Sequence, residues 1–442
     1  MGVDRRKFIT SSVPAAGVAA LGFSGGIPLP PGPNNPVDSD DLMPQEDLPD
    51  NVAALEPMTD SEPPHITDEE RWNRIGKAQR LMAAEGLDGI VMLGGTSMLY
   101  YTDMSWGLSE RTFALLIPRE GPPAWVCPAF ERERAALGVR FGDEIRTWEE
   151  HESPYALIAS LFADRGMRTG RIGLEETVRY HVVKGLAADA PALEVASADP
   201  VTIGCRAVKS PAEIALQRHA NQVTITALSA TFGSMGLGMT QREFSRLLST
   251  AYSRLGYSGG GLVLFGENSA YPHGTSREET IREGTVVLCD SGTRVGGYTS
   301  DISRTAIFGE LSVDQRRVWT LVKEAQSAAL EAARPGVPAE DVDRAARAVI
   351  DRGGYGPGYR YFTHRLGHGI GMDGHEWHYL VEGNTTPLEP GMTFSNEPGI
   401  YIHGSFGVRL EDIMLITEDG AELYTGQAGT PTDPFAGEGA LY

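Results

Sequence analysis

Two periodicities alternate along the chain from Asp68 onward. In DEERWNRIGKAQRLMAAEGLDGIVMLG, the residues Ile75, Ala78, Leu81 and Met82 recur at helical spacing behind an acidic first turn. Gly86 marks the helix stop, and the apolar run GIVML after it predicts a short buried strand. FALLIP and PAWVCPA read as further strands, SPYALIASLFADRG as a helix, and RIGLE as another strand. Helix and strand signals in alternation predict an α/β domain over residues 68–205. Its aromatic residues Tyr100, Tyr101 and Trp106 would serve either core packing or a substrate mouth.

The pattern restarts at CRAVKSPAEIALQRHANQVTITALSATFG. Pro211 suits the first turn of a helix, and Ala215, Ile225 and Leu228 form its apolar face. MTQREFSRLLSTAYSRLG opens on Thr240 with Glu243 three residues on, a capping-box spacing, and stops at Gly256. A strand GLVLFG follows, then a loop carrying His273, then TVVLCDSG and GYTSDISRTAIFG as paired strands. Helices are predicted over residues 312–333 and 338–352, and final strands over MTFSNEPGIYI and GVRLEDIMLIT. Residues 206–442 thus repeat a helix-helix-strand-strand plan, which predicts an α+β domain with an approximate internal duplication.

The first 67 residues belong to neither domain. Arg5-Arg6 precedes Phe8-Ile9 and an alanine- and glycine-rich run, so residues 1–26 resemble a twin-arginine export signal. Export by that route would place the protein in the periplasm or outside the cell. Residues 27–67 are acidic and proline-rich, with no Lys or Arg between Lys7 and Arg71, and read as an extended, solvated linker. The formal net charge of -21 over 442 residues repels phosphate and excludes a nucleic-acid partner. No apolar run approaches the roughly 20 residues that span a bilayer. Three cysteines, Cys127, Cys205 and Cys289, are too few for a disulfide framework or a cysteine-built zinc site, although one disulfide stays open.

The chemistry concentrates in THRLGHGIGMDGHE, which sets His364, His368 and His375 in a glycine-rich frame. Asp290 ends VVLCD, Asp301 follows GGYTS, and Glu397 and Glu411 stand in apolar strand contexts. Buried carboxylates cost several kcal/mol, roughly, unless their charge is compensated. Arg409 would offset one of them, and a pair of divalent ions would offset all four. Oxygen-rich ligation with one histidine suits manganese, cobalt or iron better than a structural zinc site.

These motifs resemble those of the pita-bread metallopeptidases, which include prolidase, Xaa-Pro aminopeptidase and methionine aminopeptidase. Creatinase shares that fold without the metals. The resemblance covers residues 68–432 and implies a creatinase-like N-terminal α/β domain before an α+β pita-bread catalytic domain with internal pseudo-duplication. It implies two divalent ions, manganese first and cobalt, iron or zinc as alternatives. Their ligands would be Asp290, Asp301, His368, Glu397 and Glu411, with Asp301 and Glu411 bridging. It further implies that His273 contacts substrate, that His375 meets the scissile carbonyl oxygen, and that His364 stands further out. Glu397 would pass the proton to the leaving nitrogen, and Arg409 would orient a carboxylate.

The implied substrates are short proline-containing peptides, cut at the Xaa-Pro bond next to a free N-terminus, and the implied assembly is a homodimer. One departure bears on length. Between Arg365 and Arg409 the chain has no Lys or Arg, where some prolidases place an arginine for a dipeptide's carboxylate. Trp377 and His378 stand there instead, facing a proline ring and the substrate's polar end in this reading. The rivals are a metal-independent creatinase-like amidinohydrolase, a metal-dependent lyase on the same fold, and a non-catalytic binding module.

Overall fold

The computed structural model describes residues 42–436. The export-signal reading of residues 1–26 and the first part of the acidic arm lie outside the described residues. Among the described residues, no helix is long and apolar enough to cross a membrane.

The first domain is a six-stranded mixed sheet. Its order is Glu144–Trp148, Ala124–Pro128, Ala114–Pro118, Gly89–Leu93, Gly170–Leu174, Leu193–Ser197. Three inner strands are buried at every residue, so they appear in the sequence as unbroken apolar runs. The edge strands Glu144–Trp148 and Leu193–Ser197 are only partly buried, and their mixed composition hid them. Helix Asp68–Glu85 begins where the Thr67 side chain accepts the N–H of Glu70, and ends at Gly86 with a φ of 66°. Tyr100 and Tyr101 are buried in the core, which removes them from any substrate mouth. Trp106 stacks on Phe113, with ring centroids 4.0 Å apart.

Helix Asp199–Arg206 leads into the second domain. Its helices Pro211–Phe232 and Gln241–Arg254 both carry complete capping boxes, Ser210 with Glu213 and Thr240 with Glu243. They cover a sheet ordered Ile302–Ile307, Val286–Val295, Gly259–Phe265, with the short strand Tyr298–Thr299 on the middle member. Helices Val313–Ala332 and Ala339–Ile350 begin the second half. Its sheet runs Glu376–Leu380, Gly367–Gly369, Thr393–Asn396, Asp412–Ile416, Ala421–Leu423.

Three expectations change. Each of the two final strands is broken in the middle. Thr393–Asn396 pairs with Asp412–Ile416, and Gly399–Ile402 pairs with Phe406–Arg409 in a separate ribbon. Glu397 and Glu411 occupy the two breaks and lie in no strand. Pro398 has no N–H for the ladder, and the Glu411 N–H turns away to Ser303 O at 3.1 Å. Asp290 does not end its strand but sits inside Val286–Val295, paired with Ser303 on one side and Leu262 on the other.

The third change concerns the acidic arm, which is not a solvated linker over its described length. Val52 and Leu55 are buried in a cluster with Val223, Leu228, Leu247 and Tyr252. Arg254 Nη2 donates to the carbonyls of Ala53 (3.0 Å) and Leu55 (3.1 Å), and Tyr257 donates to Glu62 Oε2 at 2.8 Å. A few apolar residues among the prolines, met by these donors, suffice to dock the arm.

Candidate metal centre

The two broken strands and the strand pair beside them point four acids at one spot. Ligand atoms of Asp290, Asp301 and Glu411 lie within 4.8 Å of one another, as do those of His368, Glu397 and Glu411. Three such groups occur among the described residues, and Asp301, His368 and Glu411 each belong to two of them. The third group joins His375 to Asp301 and His368, so His375 stands beside the acids. Its ring centroid is 3.9 Å from that of His368.

Each side chain is aimed by its backbone. His368 rides on Gly367–Gly369, and a Cβ on Gly367 would stand 2.0 Å from Ser395 O, so only glycine allows this strand approach. His368 Nδ1 donates to Gly369 O at 3.0 Å. That turns Nε2 toward Glu397 Oε1 at 3.3 Å and Asp301 Oδ2 at 3.9 Å, where it donates to Glu397 when protonated and offers its lone pair to a cation when not. Glu397 Oε1 accepts from Ser395 Oγ at 3.2 Å, and Glu411 Oε2 from Ser303 Oγ at 2.8 Å. Arg304, buried against Asp412, donates to the carbonyl of Glu411 at 2.8 Å and fixes the break there.

Arg409 is the cation among the acids. It donates to Asp290 Oδ2 (2.8 Å), Ser303 Oγ (2.9 Å) and Tyr401 Oη (3.1 Å). Tyr401 Oη donates to His364 Nε2 at 2.8 Å, while His364 Nδ1 donates to Arg365 O at 2.8 Å. A chain of hydrogen bonds therefore runs from Asp290 to His364. His364 Nδ1 lies 3.9 Å from Glu397 Oε2, and burial lowers its pKa.

Charge in the cluster is divided unevenly. Burial, reinforced by Asp290 and Glu397, pushes the Asp301 carboxyl well above the usual carboxylate range. Burial together with Asp301, Glu397 and Asp290 does the same to Glu411. Burial would raise Glu397 too, but hydrogen bonding to His368 and the charges of His364, His368 and Arg409 hold it at about 2. Arg409 is one guanidinium against four carboxylates. Four oxygen donors and one free imidazole nitrogen, short of positive charge, form a donor set that fits a pair of divalent cations.

His375 opens to solvent on one side, yet desolvation, His368 and Arg365 lower its pKa to about 4. It is a neutral imidazole at neutral pH. Arg365 Nη2 lies 3.3 Å from His375 Nδ1, and its guanidinium stacks 3.9 Å over the ring of Tyr379. His273 is exposed on its loop and makes no hydrogen bond to the acids among the described residues. Only its neighbour is tied in, through Arg409 Nη1 to Pro272 O at 3.1 Å. Trp377 and His378 lie on the partly buried strand Glu376–Leu380. Sequence reasoning passed over Ser303, Ser395 and Arg365. The first two are ordinary serines with no local signal, whereas Arg365 directly follows His364 and was open to notice.

Comparisons with known proteins identify the family and the fold. Residues 215–418 match the description "Metallopeptidase family M24" and residues 74–208 match "Creatinase/Prolidase N-terminal domain". The Xaa-Pro dipeptidase of Lactobacillus helveticus is 34% identical over 359 residues, 79% of this chain and 96% of that protein. The crystal structure of dipeptidase PepE from Mycobacterium ulcerans superposes with a TM-score of 0.76 at 30% identity, covering 82% of this chain and 98% of that one. That of recombinant prolidase from Thermococcus sibiricus gives 0.72 at 30% identity, covering 80% and 96%. All three cysteines are free and buried, so the disulfide left open by the sequence is not formed.

Proposed function

Because the chain belongs to metallopeptidase family M24, with the N-terminal domain of the creatinase and prolidase type, we propose that it is a dinuclear metallopeptidase cutting the Xaa-Pro bond of short peptides, dipeptides foremost. The observation that carries this is the convergence of Asp290, Asp301, His368, Glu397 and Glu411. It speaks against a metal-independent amidinohydrolase, which has no need of four acids in one place.

Asp290, Asp301, His368, Glu397 and Glu411 would hold the ions, which when bound would lower the pKa of a water and polarise the peptide carbonyl. The remaining work falls to side chains. His375, neutral and with Nδ1 facing Arg365, keeps its proton on Nε2 and donates it toward the carbonyl oxygen as negative charge develops. Glu397, ionised beside Arg409, accepts a proton from the attacking water and returns it to the leaving proline nitrogen. Arg409 keeps Asp290 and Ser303 in place, and through Ser303 keeps Glu411 in place.

Arg365 supplies the cation missing between residues 366 and 408. Stacked on Tyr379 and beside His375, it is placed to pair with the free carboxylate of a dipeptide. The test compares Ala-Pro with Ala-Pro-Ala, each assayed with manganese, cobalt, iron and zinc in turn. Arg365→Ala is expected to raise KM for Ala-Pro by roughly 10- to 100-fold, the worth of a charged hydrogen bond, with less effect on the tripeptide. Failure of the parent protein to cleave either peptide with any metal would end the reading. Manganese is the proposed ion, given the oxygen-rich donor set. A homodimer and twin-arginine export belong to the same proposal, supported by the family resemblance and by Arg5-Arg6, and are checked by ultracentrifugation and cell fractionation.

A further inference from the structure

The turn that carries His375 is gripped by buried charge that the reaction above does not use. Glu376, its next residue, is 2% exposed. Oε1 of Glu376 accepts the backbone N–H groups of Met372 (3.0 Å) and Asp373 (3.2 Å), which closes residues 372–376 into a turn. The same oxygen receives Arg206 Nη2 at 2.5 Å, and Oε2 receives Lys209 Nζ at 2.9 Å. Both cations are buried and both lie where the first domain passes into the second. Arg206 Nη2 also pairs with Asp373 Oδ2 at 2.6 Å. Thr96, from the first domain, donates to Asp373 Oδ1 at 2.6 Å. Gly371 is packed so tightly that a Cβ there would stand 2.6 Å from the Glu376 carboxylate.

A buried ion cluster contributes little net stability, because desolvation offsets most of its attraction, but it defines a position sharply. Burial alone would raise the Glu376 carboxyl, and Lys209 and Arg206 instead hold it at about 2, so the cluster stays charged at working pH. The turn's only exposed ring is His375, whose placement matters to a fraction of an ångström.

We propose that Arg206, Lys209 and Glu376 are positioning residues for His375, so that the junction between the domains sets the geometry of the reacting imidazole. This rests on the role given to His375 above. The test is a double-mutant cycle between Lys209→Met and His375→Ala in the full, metal-loaded chain acting on Ala-Pro. Lys209→Met is expected to lower kcat by about 10- to 100-fold, the cost of a misplaced catalytic group, with KM and metal content nearly unchanged. In the double variant the loss should equal that of His375→Ala alone, since the two act as one unit. Lys209→Arg should recover most of kcat, and Thr96→Val should show a smaller loss of the same kind.

A second readout does not depend on turnover. In isotope-labelled, zinc-loaded protein, Lys209→Met and Thr96→Val should shift the ring resonances of His375 and leave those of His219 in place. A parent that cleaves no Xaa-Pro peptide would sink the proposed function while these resonances still judge the positioning role. Unchanged kcat in folded, loaded Lys209→Met would overturn the inference. So would losses that multiply with His375→Ala, or a His375 signal that does not move. Should Lys209→Met fail to fold, Lys209→Arg and Thr96→Val decide the matter.

Discussion

Ile90, Trp125 and Phe162 in the first domain lie as deep as Arg304, Arg409, Glu411 and Asp412 in the second. The first three sit among other apolar side chains, and each gains free energy simply by leaving water. The second four are ionisable, and three of them are matched by an opposite charge. Arg304 meets Asp412 at 2.7 Å, and Arg409 meets Asp290 at 2.8 Å. Glu411 is the exception: among the described residues its carboxylate is met at hydrogen-bond distance by Ser303 Oγ, beside three other acids. The apolar core of the first domain, which continues onto Leu216, Val295, Tyr298 and Met372 of the second, therefore needs no bound ion for its stability. The second is left short of positive charge at one place, so its stability is linked to the ions it binds.

The largest expected effect tests that link. Glu411→Gln should lower peptidase activity by about 10³-fold or more, the equivalent of about 4 kcal/mol of lost transition-state stabilisation. The metal-free variant should melt higher than the metal-free parent, because one crowded acid is gone, while added metal should raise its melting point less. Calorimetry with and without metal reads both. A metal-free variant that melts lower would break the contrast between the domains.

Trp125→Ala tests the apolar side. It empties the core of the first sheet and removes the hydrogen bond from Nε1 to Phe141 O at 2.9 Å. A loss of about 3–5 kcal/mol in urea unfolding is expected, with kcat per folded molecule unchanged. An equal fall in kcat would show that this shared apolar core also sets the geometry of the metal centre.

Glu376→Gln sharpens the contrast through pH. The folded-state pKa is depressed from 4.5 to about 2, so Glu376 contributes stability above its unfolded value, and that contribution is lost as pH falls toward 2. The variant should lack this part of the acid limb, roughly 2–3 kcal/mol. Melting temperatures from pH 2 to pH 6 would show a flatter slope. Val52→Ala, in the docked arm, should cost about 1.5 kcal/mol for two lost methyl groups. Arg242→Ala should cost under about 0.5 kcal/mol, because its pair with Glu278 at 3.3 Å is largely in water.

The sequence was readable where one physical signal dominated. Buried strands such as Gly89–Leu93 appear as apolar runs, and helices such as Gln241–Arg254 announce their own start in Thr240 and Glu243. Among the candidate ligands, His368 stood out by its glycine-rich frame and Glu397 and Glu411 by apolar settings in which a bare acid is costly, whereas Asp290 and Asp301 gained weight only beside those motifs and the family resemblance. Strand Glu376–Leu380 was missed, since its mixed residues obey neither period. The docked arm was missed because proline and acid content masked Val52 and Leu55.

Local order along the chain settled which segments become helices and strands and which residue types gather the chemistry, because periodicity, capping and the cost of buried charge are all properties of neighbours. Tertiary structure alone decided that two strands break at Glu397 and Glu411, and that Arg409 joins Asp290 to Tyr401 and His364. It alone brought Arg206 and Lys209 across roughly 170 positions to hold the turn beside His375. Those arrangements depend on charges meeting in a medium of low polarity, and where such charges meet is set by packing between elements distant in the chain.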